Sequence, residues 1–143
     1  MITLCNISVD ESLADHILEQ RRLTPRYRDG RGWQSYPQTG QPFPWFESVY
    51  QQVVGQEGAV DTWWFNVSTT GEYTNWHAHV RWLKVAVLYV TVPSGAIEFK
   101  DGASYWCETP KQGDLLVFPG KLTHRVRPNT STEQRISIAF NFK

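Results

Sequence analysis

Three of the four histidines in this 143-residue chain have types and spacings that suit a metal site. His77 and His79 are separated by one residue, and His124 lies much further along the chain. Residues i and i+2 of a strand project to the same face, so the first two imidazoles can bind one cation. Three neutral imidazoles suit iron, and also zinc, copper, nickel or manganese. The pattern predicts a metal centre, whereas His16 lies on a predicted helix and is typical of a structural residue.

The elements that must position these histidines follow residue 60, where short β-branched and aromatic runs alternate with turn residues. Several short strands without a helix among them are typical of a barrel or jelly roll. The predicted strands cover residues 62–68, 74–80, 83–92, 96–100, 104–107, 114–118, 123–127 and 134–142.

The last predicted strand has one apolar face and one polar face. Bulky apolar residues alternate with small or polar ones from Arg135 to Phe142. The apolar face requires a cover, which the N-terminal part of the chain can provide. Arg135 and Ser137 would then point into the mouth of the barrel.

Two amphipathic helices are predicted before the strands. The first covers residues 10–23, where Asp10 can cap the helix, and the second runs from about Pro44 to Val54, with Gly55 as its stop. Residues 24–43 between them are rich in proline, glycine and arginine. This segment is either a packed surface loop or a lid that faces a substrate.

Composition argues against several other classes of protein. Fourteen basic and fourteen acidic residues cancel, so no polycationic surface favours a nucleic-acid partner. Cys5 and Cys107 are too few for a disulfide framework, and neither a signal peptide nor a membrane-spanning run is evident. We therefore expect a cytoplasmic protein without a membrane partner. The length predicts one domain over 1–143, with a helical part and long loop over 1–60 and a β-barrel core over 61–143.

The stretch from Trp64 to Phe142 resembles the 2-oxoglutarate- and Fe(II)-dependent hydroxylase family, distant kin of the prolyl 4-hydroxylases. The resemblance preserves the order of its motifs and covers a little over half of the chain. The motifs are Trp-Phe-Asn at 64–66, His-Ala-His at 77–79, Val-Leu-Tyr-Val-Thr-Val-Pro at 87–93, Gly-Asp-Leu-Leu-Val-Phe-Pro at 113–119, His124, and Arg-Ile-Ser-Ile-Ala-Phe-Asn at 135–141.

This resemblance implies a double-stranded β-helix, and the two N-terminal helices predicted from the residue pattern would pack on one of its sheets. It implies that His77, His79 and His124 bind Fe(II), and that the co-substrate 2-oxoglutarate is held by Arg135, with Ser137 and Tyr89 as further contacts. A guanidinium offers a planar fork to a carboxylate, and a hydroxyl beside it adds a second donor. The implied activity is a 2-oxoglutarate-dependent dioxygenase that hydroxylates a peptide or a small molecule with O2, with no catalytic residue beyond the metal ligands.

The chain departs from the wider superfamily at one ligand, because most of its members have Asp or Glu where this chain has His79. A third histidine in place of a carboxylate makes the metal centre more positive, which should shift the iron potential and the binding of anionic ligands.

Two other interpretations of the sequence stay open. The segment Gly113 to His124 also fits the second motif of cupins, which would make the chain a cupin-type metal-binding protein or a three-histidine dioxygenase that does not use 2-oxoglutarate. The first cupin motif normally has a glutamate shortly after His-x-His, and residues 80–84 contain none. The other alternative is a non-enzymatic binding module whose ligand surface consists of tryptophans.

Overall fold

Two antiparallel sheets make up most of the protein. A computed structural model describes residues 2–24 and 32–143, and only the backbone of Tyr27–Arg28 between them. The larger sheet has the strand order β1-β9-β6-β11-β4-β3-β2 and the smaller has the order β5-β10-β7-β8. The strands are β1 Thr3–Asn6, β2 Tyr27–Arg28, β3 Gly32–Gln34, β4 Thr62–Ser68, β5 Thr74–His77, β6 Lys84–Thr91, β7 Ile97–Asp101, β8 Ser104–Glu108, β9 Asp114–Pro119, β10 Thr123–Val126 and β11 Arg135–Phe142.

Two helices cover the outer face of the larger sheet, as the alternation in β11 requires. They are α1, Ser12–Leu23, and α2, Glu47–Glu57, which follows a single 3₁₀ turn at Pro44–Phe46. The main apolar core lies between these helices and the sheet. Its members include Leu13, Ile17, Phe46, Val49, Val53, Phe65, Ile136, Ile138, Phe140 and Phe142. The predicted mainly β fold with two N-terminal helices on one sheet is confirmed.

A second apolar cluster lies between the two sheets. It joins Val85 and Tyr89 of β6 to Ile97 and Phe99 of β7, together with Phe118 of β9. Since β6 and β9 belong to the larger sheet and β7 to the smaller, this cluster holds one sheet against the other. The space between the sheets is therefore packed at one end, and the polar residues described below line the remainder.

The predicted end of the second helix is wrong. The helix continues through Gly55 to Glu57 and is followed by Gly58, which has a φ of +97°. A left-handed conformation of this kind is accessible to glycine at little cost, whereas a single glycine inside a helix lowers its stability only modestly. The first helix begins at Ser12, two residues after the predicted start, and the Asp10 side chain just before it accepts a hydrogen bond from the Ser12 amide at 2.8 Å.

Three strands were not anticipated from the sequence, since β1, β2 and β3 come from residues assigned to helices and loops. Each lies toward an edge of the larger sheet. The predicted strand 74–80 is too long, because β5 ends at His77 and the chain then turns. The arginine-rich part of the suggested lid, residues 25–31, lies outside the residues whose side chains the structure describes. Across the described ranges, no helix combines the length and the apolar character needed to cross a membrane.

Candidate functional site

The three predicted histidine ligands converge at the open end of the space between the sheets. Their closest potential ligand atoms all lie within 4.8 Å of one another. His77 on β5 and His124 on β10 are direct partners in the smaller sheet, and their ring centroids are 4.2 Å apart. The predicted cluster of three imidazoles is therefore present.

His79 reaches the cluster from a turn rather than from a strand, so the same-face argument used for His77 and His79 is wrong in its geometry. The His79 amide donates to the Gly120 carbonyl at 2.7 Å, and the His79 carbonyl accepts from the Trp82 amide at 3.0 Å. These two bonds fix the turn against the β9–β10 connection. The Trp64 ring stacks on the imidazole, with centroids 5.7 Å apart and planes 15° from parallel.

Each imidazole has an oxygen acceptor at Nδ1. The acceptors are the Asn75 carbonyl for His77, at 2.7 Å, the Leu122 carbonyl for His124, at 3.0 Å, and the Asn141 side-chain Oδ1 for His79, at 2.9 Å. A carbonyl oxygen only accepts, so in a neutral imidazole Nδ1 carries the hydrogen and Nε2 keeps its lone pair. This is the arrangement that proteins use to orient histidines toward a metal.

Burial keeps two of these imidazoles neutral. His124 is only 4% exposed, and desolvation by burial, assisted by the neighbouring His77, lowers its pKa to about 3. Burial also lowers the pKa of His79, although its hydrogen bond to the Asn141 side-chain oxygen partly opposes the shift. Neutral imidazoles are the form that binds metal, so the donor set fits a divalent cation.

A buried cation lies at the other end of the same cavity. The Arg135 guanidinium is 6% exposed, and its Nη1 donates to the Arg127 carbonyl at 2.9 Å. Among the described residues no carboxylate forms a salt bridge with it. Burial lowers the pKa of Arg135, while Tyr89 and Glu72 act in the opposite direction. Because arginine stays protonated, this end of the cavity favours an anion.

Two hydroxyl groups, those of Ser137 and Tyr89, line the same cavity as the guanidinium. In β11, Ser137 is opposite Tyr89 on one side and Asn66 on the other. Asn66 donates from Nδ2 to the Ser137 oxygen at 3.3 Å, and its own Oδ1 accepts from the Trp64 indole at 3.2 Å. The Ser137 hydrogen is therefore available for another acceptor. Burial raises the pKa of Tyr89 far above its ordinary value, so its hydroxyl remains a donor.

The inner cavity connects the two ends. Its lining contains the three histidines, Arg135, Ser137 and Tyr89, so all six predicted site residues face one space. Ala139, at the middle of this face of β11, contributes little volume. An outer cleft of about 400 Å³ adjoins it and shares five lining residues with it: Gln34, Trp64, Thr74, His77 and His79. The other described residues lining the cleft are uncharged: Ser35, Pro37, Thr62, Ala78, Trp82 and Asn141.

Comparison with known proteins agrees with this arrangement. A family model described as "Putative 2OG-Fe(II) oxygenase" matches residues 97–141, a segment that includes His124, Arg135 and Ser137. A search of curated proteins found no significant match.

Solved structures show the same fold. A prolyl-4-hydroxylase from Pseudomonas putida has a TM-score of 0.69 and 16% identity, over 99% of this chain and 86% of that one. The α-ketoglutarate-dependent epimerase SnoN from nogalamycin biosynthesis has a TM-score of 0.63 and 14% identity, over 97% and 76% respectively. A 2OG-Fe(II) oxygenase family protein from Burkholderia pseudomallei has a TM-score of 0.53 and 13% identity, over 58% and 43%.

The chain resembles the 2-oxoglutarate/Fe(II) oxygenases in both sequence and fold. The predicted double-stranded β-helix is thereby confirmed. The family match over residues 97–141 supports an oxygenase of this class, and the three-histidine cluster is compatible with Fe(II). The roles assigned to individual residues stay predictions.

Three residues of this oxygenase-like site were missed in the sequence. A Cβ atom at Gly120 would lie 2.6 Å from the His79 carbonyl and would collide with the Trp82 carbonyl, so only glycine allows the turn to pack there. A Cβ at Gly95 would collide with the Arg135 guanidinium. Asn141, the acceptor for His79, was placed in a family motif but given no role. The glycine four residues before His124 was a signal that could have indicated a close backbone approach at this point.

The tryptophans divide between packing and the site. Trp63 is buried in the main core and Trp106 stacks on Phe99. Trp64 and Trp82 line the outer cleft. The tryptophans named for the non-enzymatic alternative are therefore divided between core packing and the outer cleft, and that alternative stays a hypothesis.

Proposed function

We propose that this protein is an Fe(II)- and 2-oxoglutarate-dependent oxygenase that hydroxylates a peptidyl residue or a small molecule. One observation carries the proposal, namely that a single cavity has three oriented imidazoles at one end and a buried guanidinium at the other. Among the described residues, no carboxylate forms a salt bridge with this guanidinium. A ligand that chelates a metal through one end and bears an anionic group at the other matches both. A keto acid with a second carboxylate has this chemistry.

His77, His79 and His124 would hold the metal through Nε2, since each Nδ1 is engaged with an oxygen. Three protein ligands leave coordination positions for other groups. A bound Fe(II) ion supplies the redox chemistry that couples decarboxylation of 2-oxoglutarate to oxidation of a second substrate.

Arg135 would bind the distal carboxylate of 2-oxoglutarate, and Ser137 would donate a hydrogen bond to it. Asn66 supports this role because it uses the Ser137 oxygen as an acceptor and leaves the hydroxyl hydrogen free. Tyr89 would donate from the neighbouring strand. Arg135 and Tyr89 are both buried, and a buried environment strengthens such charge-assisted bonds.

The second substrate would enter through the outer cleft, which shares Trp64, His77 and His79 with the inner cavity. Its indole walls suit an apolar group, and its amides and hydroxyls suit hydrogen bonding without a charge. A side chain on an extended peptide and a small neutral molecule both satisfy these conditions.

Anaerobic titration tests the proposal. Fe(II) and 2-oxoglutarate added together should produce a weak visible charge-transfer band, and calorimetry should detect 2-oxoglutarate binding only when the metal is present. In air, the loaded protein should form succinate from 2-oxoglutarate. Absence of the band together with undetectable 2-oxoglutarate binding would falsify the assignment.

The remaining alternatives give different results in the same experiments. A cupin-type protein or a three-histidine dioxygenase that does not use 2-oxoglutarate would bind the metal without any 2-oxoglutarate-dependent band. A protein without affinity for any divalent ion would contradict every metal-based interpretation of the chain.

A further inference from the structure

We propose that Asn141 is a positioning residue that commits His79 to coordinate metal through Nε2. The inference rests on the metal-binding part of the proposed function, and it concerns a residue outside the ligand set. Its basis is the difference between the acceptor of His79 and the acceptors of the other two histidines.

The acceptors for His77 and His124 are backbone carbonyls two residues earlier in their own chain segments. Such an acceptor is present whatever the side chains are. His79 instead depends on the side chain of Asn141, which is 62 positions away in sequence and on a different sheet from His77 and His124. Of the three hydrogen bonds, this one alone can be removed by a substitution.

The position of Asn141 is firmly held. Asn141 is only 2% exposed and lies on β11, a central strand of the larger sheet. The amide Nδ2 donates to the Thr62 hydroxyl at 3.0 Å, and Thr62 is its direct partner in β4. This second bond anchors the Asn141 amide group beside the His79 ring.

An acceptor is needed because His79 lies in a turn. The Trp64 ring stacks on one face of the imidazole, and stacking fixes the ring plane without distinguishing Nδ1 from Nε2. A carboxylate ligand at this position would coordinate through either oxygen and would not need such control. Asn141 therefore supplies what a third histidine requires and a carboxylate does not.

The state of His79 in the metal-free protein gives a direct test. Long-range ¹H–¹⁵N correlation spectra distinguish the Nδ1–H and Nε2–H forms of neutral histidine, and His79→Gln assigns the signals. We expect the Nδ1–H form in the native protein near neutral pH and a shift toward Nε2–H in Asn141→Leu. A native protein with His79 in the Nε2–H form, as a reversed Asn141 amide would produce, overturns the proposal.

Metal affinity provides the second test, with Co²⁺ as the probe. Asn141→Leu keeps the size and branching of the side chain but removes the acceptor, and it should weaken Co²⁺ binding about 10- to 100-fold and change the d–d absorption spectrum. Asn141→Asp keeps an acceptor and should bind Co²⁺ as tightly as the native protein or more tightly.

Asn129→Leu is the matched control, because Asn129 is also a buried asparagine but its side chain contacts Ser68, Ser94, Ser131 and Glu133 rather than a histidine or Trp64. It should leave Co²⁺ affinity within about threefold, on the usual additivity of separate sites. Equal losses in the two leucine variants, or loss in Asn141→Asp equal to that in Asn141→Leu, would contradict the positioning role. If the native protein does not bind Co²⁺, the metal site itself fails, and the spectra of His79 still test the hydrogen bond.

Discussion

The two ends of the inner cavity differ in the charge that their side chains carry. At the histidine end, burial keeps His79 and His124 uncharged, and oxygen acceptors direct the lone pairs inward. At the other end, Arg135 keeps its charge although it is buried, because backbone carbonyls rather than a carboxylate receive its hydrogen bonds. One end accommodates a cation and the other an anion.

This difference has an energetic meaning. A buried charge without a counter-ion is costly, and the cost is recovered when an ion of opposite sign binds. The buried charge of Arg135 therefore lowers the free energy of unfolding of the ligand-free protein. The histidine end does not have this cost while its imidazoles remain neutral. Separate substitutions at the two ends should consequently have separable effects.

The largest effect is expected from His124→Ala. It removes the most buried of the three imidazoles and should abolish metal binding, with a loss of at least about 100-fold. Isothermal titration with Fe(II) or Co²⁺ measures the loss, and circular dichroism should show that the fold is intact. Metal affinity close to that of the native protein would contradict the three-histidine centre.

Arg135→Gln should affect the opposite end alone. The loss of charge-assisted hydrogen bonds should lower the affinity for 2-oxoglutarate about 10- to 100-fold, while the affinity for metal stays within about threefold of the native value. Arg135→Lys keeps the charge without the planar fork and should give an intermediate result. Parallel weakening of metal and 2-oxoglutarate would mean that the two ends are not independent.

Acid should destabilise the metal-free protein through the histidine end. Below the ordinary histidine pKa of 6.5 the unfolded chain binds protons that the folded His124, with its pKa of about 3, does not. The contribution of His124 to the free energy of unfolding should therefore be fully present above that pH. It should fall as the pH decreases, by up to about 1.4 kcal/mol per pH unit. Urea unfolding at several pH values measures the slope, and His124→Gln should reduce it. An equal slope in the variant would contradict the assignment.

Ser137→Ala should give the smallest effect. It removes one neutral hydrogen-bond donor and should lower the affinity for 2-oxoglutarate about threefold to tenfold, in line with the net free energy that one hydrogen bond contributes. Tyr89→Phe serves as the comparison on the neighbouring strand. A loss in Ser137→Ala as large as that in Arg135→Gln would shift the main anion contact from the guanidinium to the hydroxyl.

Much of the fold was predictable because its signals are local. The alternation in β11 identified the face that the helices cover and the face that carries Arg135 and Ser137. The boundaries of β4 are the predicted residues 62–68. The strand is rich in β-branched and aromatic residues, and turn residues precede and follow it in the sequence. Periodicity is informative where one face is buried and the other is not.

The rest depends on contacts that are distant in sequence. Strand β1 is short and mostly exposed, and only its pairing with β9 makes it a strand. The turn at His79 depends on Gly120, and the orientation of its imidazole depends on Asn141. None of these partners is marked by spacing in the sequence, so the residues of the metal centre could be predicted while their geometry could not.

The central place of β11 links ligand binding to the folding of the whole protein. This strand lies between β6 and β4, and carries Arg135 and Ser137 toward one end and Asn141 toward the other. Central strands usually open only on global unfolding. Occupancy of either end should therefore slow amide exchange throughout the larger sheet and raise the melting temperature, so a simple thermal-shift screen can reveal ligands before any reaction has been identified.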